Sequence, residues 1–268
     1  MTRRAVILAA GMGTRMRRAD GVSLEPAQAR AADAGFKAMM PVGRPFIEYV
    51  LSALADAGIE QACLVVAPGA DAVRSHFAEA AGRRVQVEFA EQGRPLGTAD
   101  AVLAAERFAG GEPFLVVNGD NLYPASVLGP LAALHEPAAA AFSRAALTAG
   151  GALPAERIAR FALLEPDAEG YLRRIVEKPS PESLNEFGPE ARVSMNCWRF
   201  DPSIFAACRA VPPSPRGELE LPLAVQQAIE TGAFRVRLLP VAETVLDLSS
   251  RLDVAAVTAR LRGVTPRP

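Results

Sequence analysis

A chain of 268 residues with 29 basic and 30 acidic side chains has a net charge of −1, so it offers no basic face and no nucleic-acid partner is expected. Half of its residues are apolar and 22% are charged, which supplies a core and excludes intrinsic disorder, and the length admits one or two domains. Three cysteines (Cys63, Cys197, Cys208) lack metal-type spacing and no apolar run reaches the ~18 residues of a bilayer span, so a soluble cytoplasmic protein without membrane contact is expected.

The first half alternates strand and helix. Met1-Thr2-Arg3-Arg4-Ala5 leads straight into a short β run over 4–9 ending in glycines, the pattern of a buried strand and not of a signal peptide. Helical spacing follows over 45–57 (Ile47, Val50, Leu51, Leu54), then a strand over 61–67 and a helix over 70–81. A strand over 85–89, a helix over 98–108 and a buried strand over 114–117 complete this half. Apolar strands separated by helices imply a parallel sheet covered on both faces. In such sheets the ligand lies beyond the carboxyl ends of the strands, where Gly11 and Asp120 both fall.

From residue 150 the pattern changes. Residues 157–164, a turn at Asp167-Ala168-Glu169-Gly170 and residues 171–177 read as a hairpin. A strand is expected over 192–200, a helix over 218–231, mostly extended chain over 234–248, and a closing helix over 250–262 capped by Ser249 or Ser250. There is no internal repeat, and the proline-rich stretch 211–215 is too short for a linker.

The chain has twenty-seven arginines and only two lysines, Lys37 and Lys178. Lysine is normally common, so both are candidates for positions where a compact ammonium does what a planar guanidinium does not. Lys37 opens Lys37-Ala38-Met39-Met40-Pro41, and Lys178 lies in Val176-Glu177-Lys178-Pro179. The loop Leu8-Ala9-Ala10-Gly11-Met12-Gly13-Thr14-Arg15 is not a Walker motif, because no Gly-Lys-Ser/Thr follows. Met16 stands where a dinucleotide fingerprint needs its third glycine. What remains is a strand followed by glycines whose backbone N–H groups approach an anion, with Arg15 adding a fork for phosphate oxygens. His76 and His135 fall outside every motif and read as surface residues.

Further segments follow in order: residues 37–47, Pro95-Leu96-Gly97-Thr98-Ala99-Asp100-Ala101, Val116-Val117-Asn118-Gly119-Asp120, Gly217-Glu218-Leu219-Glu220 and Val245-Leu246-Asp247. Together with the glycine loop and the Lys178 motif, this ordered set resembles the sugar-phosphate nucleotidylyltransferases over nearly the whole chain. The family joins a nucleoside triphosphate to a sugar 1-phosphate and releases pyrophosphate. The resemblance implies an α/β fold, a Rossmann-like three-layer sandwich with a mostly parallel mixed sheet. It implies one domain over 1–268, with a nucleotide-binding half (1–145), a sugar-phosphate-binding half (146–268) and no C-terminal β-solenoid.

Carried over residue by residue, the resemblance places Leu8, Ala10, Gly11, Gly13, Thr14, Gly97, Thr98 and Asn118 around the nucleotide, with Arg15 on the outer phosphates. Lys37 falls near the α-phosphate, and Gln92 matches the residue that reads the base in pyrimidine-using members. Asp120 and Asp247 share a Mg²⁺ in this reading. Glu177, Lys178, Ser194 and Asn196 bind the acceptor, with Lys178 on its phosphate, so Arg15, Lys37 and Lys178 are the catalytic cations. Each carboxylate also has a plainer role available: Asp120 as cap of the next helix and Asp247 as a support for the last one.

The chain departs from the family pattern at three points. Arg15 and Lys37 are twenty-two residues apart where about ten are usual, and the extra stretch 16–35 contains a helix with Pro26 in its first turn, a lid or a partner surface. Ser194-Met195-Asn196 stands where the family often reads Asn-Ala-Gly, with Ser194, Asn196 and Trp198 on one strand face, which alters the acceptor pocket. Gln92 favours uracil or thymine, whereas residues 97–102 resemble members that use ATP. Two other readings remain open: transfer to a non-sugar phosphate such as phosphocholine, caged by Trp198 and Tyr123, and a non-catalytic nucleotide-sensing subunit. A homo-oligomer is also compatible with the sequence.

Overall fold

A computed structural model describes residues 1–18, 21–78, 84–149, 153–188 and 191–268. Its strands are β1 (Arg4–Leu8), β2 (Gln61–Val66), β3 (Gln86–Glu91), β4 (Phe114–Asn118), β5 (Asn121–Leu122), β6 (Ala138–Ser143), β7 (Leu163–Pro166), β8 (Leu172–Val176), β9 (Arg192–Phe200), β10 (Arg237–Val241) and β11 (Leu246–Asp247). The main sheet runs β10-β6-β9-β4-β1-β2-β3, with β7 on β9 and β8 on β7. Pairs β1–β2, β1–β4, β2–β3 and β6–β10 are parallel, whereas β9 runs antiparallel to both β4 and β6. This is the mixed, largely parallel sheet implied by the resemblance.

Strand alternation divides the core into two layers. Ala5, Ile7, Leu115 and Val117 join one apolar cluster, while Val6, Phe114 and Val116 join the other. Both faces are buried, which is why these strands read as continuous apolar runs. The helix Phe46–Asp56 fits its expectation to within a residue at each end, and the one over 70–81 is seen as Asp71–Ala78, its last residues 79–81 lying outside the described residues.

The expected helix over 98–108 is two helices, Thr98–Ala104 and Glu106–Ala109. Ala105 adopts φ −91°, ψ 5°, and its N–H bonds Val102 O at 3.1 Å, an i→i−3 contact that ends the α ladder. The hairpin stands, but its first arm is shorter than expected: Ala155–Ile158 is a helical turn, and only Leu163–Pro166 is strand. The apolar residues Ile158, Phe161 and Leu163 gave an extended pattern to a segment that folds so as to carry Arg157 toward Asp247 and Asp253. The helix expected over 218–231 begins at Leu221, because the preceding residues are extended against 96–99. Of the two serines, Ser250 caps the last helix, Arg251–Leu261, in a capping box with Asp253.

Candidate active site

The carboxyl ends of β1 and β4 open into a cleft of about 860 Å³. Its lining brings together Leu8, Ala10, Gly11, Gly13, Thr14, Arg15, Lys37, Gln92, Gly97, Thr98, Asn118, Asp120 and Asn196. Asp247, Glu177, Lys178 and Ser194 stand outside that lining. Asp247 is only 5% exposed and Ser194 is buried, whereas Lys178 is exposed.

Two glycines are dictated by close approach. Gly13 has φ +62°, and a Cβ there would lie 2.4 Å from Gly35 O, so the glycine loop and the end of the inserted segment pack backbone to backbone. Gly97 has φ +122°, and its Cβ would lie 2.4 Å from Leu219 O. Leu219 N–H bonds Leu96 O at 2.7 Å and Ala99 N–H bonds Leu219 O at 2.8 Å, while Thr98 Oγ1 accepts from Leu221 N–H at 2.8 Å. Thr98 therefore lines the cleft with one lone pair of its hydroxyl committed to the start of the helix Leu221–Glu230 and its O–H still able to donate. The same bonds deliver Glu218 to the cleft wall.

The insertion is a brace. Its helix, Pro26–Ala34, ends on Gly35 in the left-handed region, and the chain turns directly into the 3₁₀ turn Lys37–Met39. Gln28 Nε2 bonds Pro41 O at 3.0 Å, and Arg17 Nη2 bonds Ala34 O at 2.9 Å. Arg251, 7% exposed, donates from Nε to Met16 O at 2.9 Å and from Nη2 to Asp33 Oδ1 at 2.5 Å. Residues on both flanks of the insertion are thus tied to the last helix. Ala19 and Asp20, within it, lie outside the described residues.

Lys37 Nζ lies 2.7 Å from Asp120 Oδ2, both side chains about one-fifth exposed (18% and 22%). Asp120 follows β4 and its carbonyl accepts Leu248 N–H at 2.8 Å, while the β5–β11 pair sets Asp247 opposite Asn121. Asp247 accepts a 2.5 Å bond from Ser249 Oγ and faces Arg157 Nη1 at 3.4 Å. Burial, and next the negative charge of Asp120, push the Asp247 carboxyl up to about 6. Asp120 does not cap the next helix, which Pro124 precedes, whereas Asp247 does support the start of the last helix through Ser249 and still lies beside Asp120. Two adjacent carboxylates under mutual repulsion are a donor set of the hard-oxygen kind that suits a divalent cation such as Mg²⁺.

Gln92, 6% exposed, donates both amide protons inward, to Gly97 O at 2.9 Å and Asp100 Oδ2 at 2.8 Å. Those two acceptors fix which end is nitrogen, so Oε1 is the end left for a ligand. Asn118 Nδ2 is held by Asn121 Oδ1 at 3.0 Å. On the acceptor side, Asn196 has φ +54° where β9 bulges against β6, and asparagine is among the few side chains that tolerate this region. Trp198 Nε1 donates to Asn196 Oδ1 at 3.3 Å and Asn196 N–H donates to Ser194 Oγ at 3.2 Å, which bears out their shared face. Burial, and next the charge of Glu220, push Glu177 up to about 7, with Arg216 opposing. Lys178 has φ +47°, and the following Pro179 disfavours the right-handed helical alternative.

Trp198 and Tyr123 are fully buried, and Tyr123 donates its hydroxyl proton to Met195 O at 2.5 Å. Neither presents an open face to a quaternary ammonium. His135 is on the surface as expected, but His76 is half-buried against Glu48 Oε1 at 2.9 Å. Arg157, Glu218 and Arg251 escaped the sequence reading. Only Glu218 left a trace, within the motif Gly217-Glu218-Leu219-Glu220; nothing in the spacing of the two arginines pointed to this site.

The nucleotidyl transferase family profile matches residues 4–243. A glucose-1-phosphate thymidylyltransferase of Streptomyces antibioticus is 30% identical over 239 residues, which cover 86% of this chain and 58% of the relative. The chain thus spans little more than half the length of that curated relative. A UTP–glucose-1-phosphate uridylyltransferase of Haloferax volcanii is 29% identical, over 85% of this chain and 84% of its own. Among solved structures, a UDP-glucose pyrophosphorylase complexed with UDP-glucose superposes with a TM-score of 0.76 over 98% of this chain and 99% of its own, at 19% identity, a likeness of fold. With the family profile covering nearly the whole length, the chain belongs to the nucleotidyl transferase family.

Proposed function

We propose that the protein transfers a nucleotidyl group from a nucleoside triphosphate to the phosphate of a sugar 1-phosphate. An anionic oxygen of the acceptor phosphate attacks the α-phosphorus. The new P–O bond forms as the bond to the α,β-bridging oxygen breaks, and that oxygen leaves with the electron pair on pyrophosphate. The nucleophile is already ionised at neutral pH, so the reaction needs no general base. Positioning and charge stabilisation carry it.

The observation that carries this reading is the Lys37–Asp120 pair at 2.7 Å, set at the strand ends of a glycine-lined cleft with Asp247 beside it. Two like charges ~4 Å apart repel by about 4 kcal/mol at an effective dielectric of 20, so bringing two phosphate groups together demands cations. Arg15 and Lys37 supply them on the triphosphate side, Lys178 on the acceptor side. Asp120 and Asp247 would hold Mg²⁺, which when bound neutralises charge on the transferring phosphates. Gln92 Oε1 accepts the N3–H of uracil or thymine, an atom pair that cytosine does not offer, and relatives named for UTP and for thymidylyl transfer support that preference. Their glucose 1-phosphate supports a hexose phosphate as acceptor. Glu177, Ser194 and Asn196 form its side of the site, and the Asn196 amide narrows a pocket that a glycine would leave open. The three cysteines are free and buried, which supports work in a reducing cytoplasm.

The test is a matrix of UTP, dTTP, ATP, CTP and GTP against glucose 1-phosphate, other sugar 1-phosphates and phosphocholine, scored by pyrophosphate release. Release with UTP or dTTP and a sugar 1-phosphate is expected. Release with phosphocholine alone, or a clear preference for ATP, would reassign the acceptor or the base, and none with any pair would leave a nucleotide-sensing subunit.

A further inference from the structure

Beside the cleft lies a second hollow, of about 310 Å³, lined by Arg15, Arg18, Pro154, Glu156, Arg157, Arg160 and Ser250. Four arginines line it against one glutamate, in a chain whose net charge is only −1. Arg157 is held from behind by Asp253 at 2.8 Å and Asp247 at 3.4 Å, which fixes its guanidinium in place. Arg15, Arg18 and Arg160 have no acidic partner among the described residues, so their charge is available to a ligand. Guanidinium forks match phosphate oxygens bidentately, and several converging on one hollow select an anion of more than one charge.

The size and lining narrow the ligand further. A volume of 310 Å³ is at the lower end of the ~300–1,000 Å³ typical of small-molecule sites. Among the described residues Pro154 is the only apolar side chain lining it and no aromatic ring does, so the lining favours a compact anion over a base or a sugar. We propose that this hollow is a second binding site, for a small polyphosphate of the pyrophosphate class, adjoining the cleft through Arg15. Among the described residues, Arg15 is the one that lines both spaces. Pyrophosphate formed in the cleft would have a cationic station next to it on leaving, a role that rests on the proposed reaction. The binding itself does not.

The experiment is calorimetric titration of the full chain with inorganic pyrophosphate and, separately, with UTP. Wild type is compared with the double variant Arg18→Ala/Arg160→Ala and the double variant Arg18→Lys/Arg160→Lys. Neither residue lines the cleft, and thermal melting checks that each variant is folded. The alanine pair is expected to lose at least tenfold in pyrophosphate affinity, the lysine pair to recover part of it, and UTP affinity to stay within twofold. Unchanged pyrophosphate binding in the alanine pair would overturn the site. An equal loss for UTP would also overturn it, because the arginines would then belong to the triphosphate's own site. If UTP binds to none of the proteins, the proposed reaction fails while a pyrophosphate loss in the alanine pair still upholds the second site.

Discussion

Lys37 and Lys178 carry the same charge in different surroundings. Lys37 is paired with Asp120 in the cleft, where charge would develop in the proposed transfer, and Lys178 is exposed with its backbone at φ +47°. A non-glycine residue in that region costs roughly 1–2 kcal/mol, and such strain is commonly kept where it positions a side chain. Lys37→Arg is expected to lower kcat, because a planar fork does not reproduce the 2.7 Å contact of a point charge. Lys178→Arg is expected to raise the acceptor KM at least tenfold, about 1.4 kcal/mol, with little change in the triphosphate KM. Steady-state kinetics with each substrate varied in turn separate the two; a silent Lys178→Arg, or identical failure of both, would contradict this division of labour. These residues were legible in the sequence because lysine is scarce and motif-bound. Arg157 was not, because a contact 90 residues away with Asp247 leaves no mark on local periodicity.

At the scale of elements, the insertion 16–35 is where sequence and structure differ most in meaning. Its helix, with proline in the first turn, was legible from Pro26 and the alanines around it. Its role was not, because the sequence pattern does not show that Arg251 reaches back 235 residues to Met16 O. Arg251→Gln removes the bonds to Met16 O and to the exposed Asp33 and leaves the carbonyl of the buried Met16 unsatisfied, so a loss of about 1–3 kcal/mol of stability is expected. The triphosphate KM should rise with it, since the glycine loop and Lys37 share this brace. Urea unfolding and kinetics on the same preparation check both; a mobile lid would instead leave stability unchanged. Other elements were missed for local reasons. β6 is Ala-Ala-Ala-Ala-Phe-Ser, without β-branched residues or alternation, and the helix Ala125–Ala133 contains Pro130. Both are dictated by burial between neighbours.

Across the whole molecule, the parallel half of the sheet was readable from its apolar strands, while the antiparallel insertion of β9 between β4 and β6 was not, because pairing direction is a long-range property. The folded state also has a pH signature. Asp247 and Glu177 sit at about 6 and about 7, above the ordinary values of 3.8 and 4.5, so the folded protein holds protons that the unfolded chain has released. Their contribution to stability is complete below about pH 4 and is lost as pH rises through 6 to 7. A divalent cation held by Asp120 and Asp247 would offset the Asp247 part of that loss where both are ionised. Mg²⁺ is therefore expected to raise Tm more at pH 8 than at pH 5, where it must displace the Asp247 proton; an equal rise at both, or none, would remove these carboxylates from the metal site.

The most direct measurement follows the phosphorus atoms. UTP or dTTP labelled at the α-phosphate, and separately at the γ-phosphate, is turned over with the sugar 1-phosphate that gives the fastest pyrophosphate release. Nucleotidyl transfer predicts α-label in the sugar nucleotide and γ-label only in pyrophosphate. Appearance of γ-label on the sugar, or release of single phosphate in place of pyrophosphate, would contradict it.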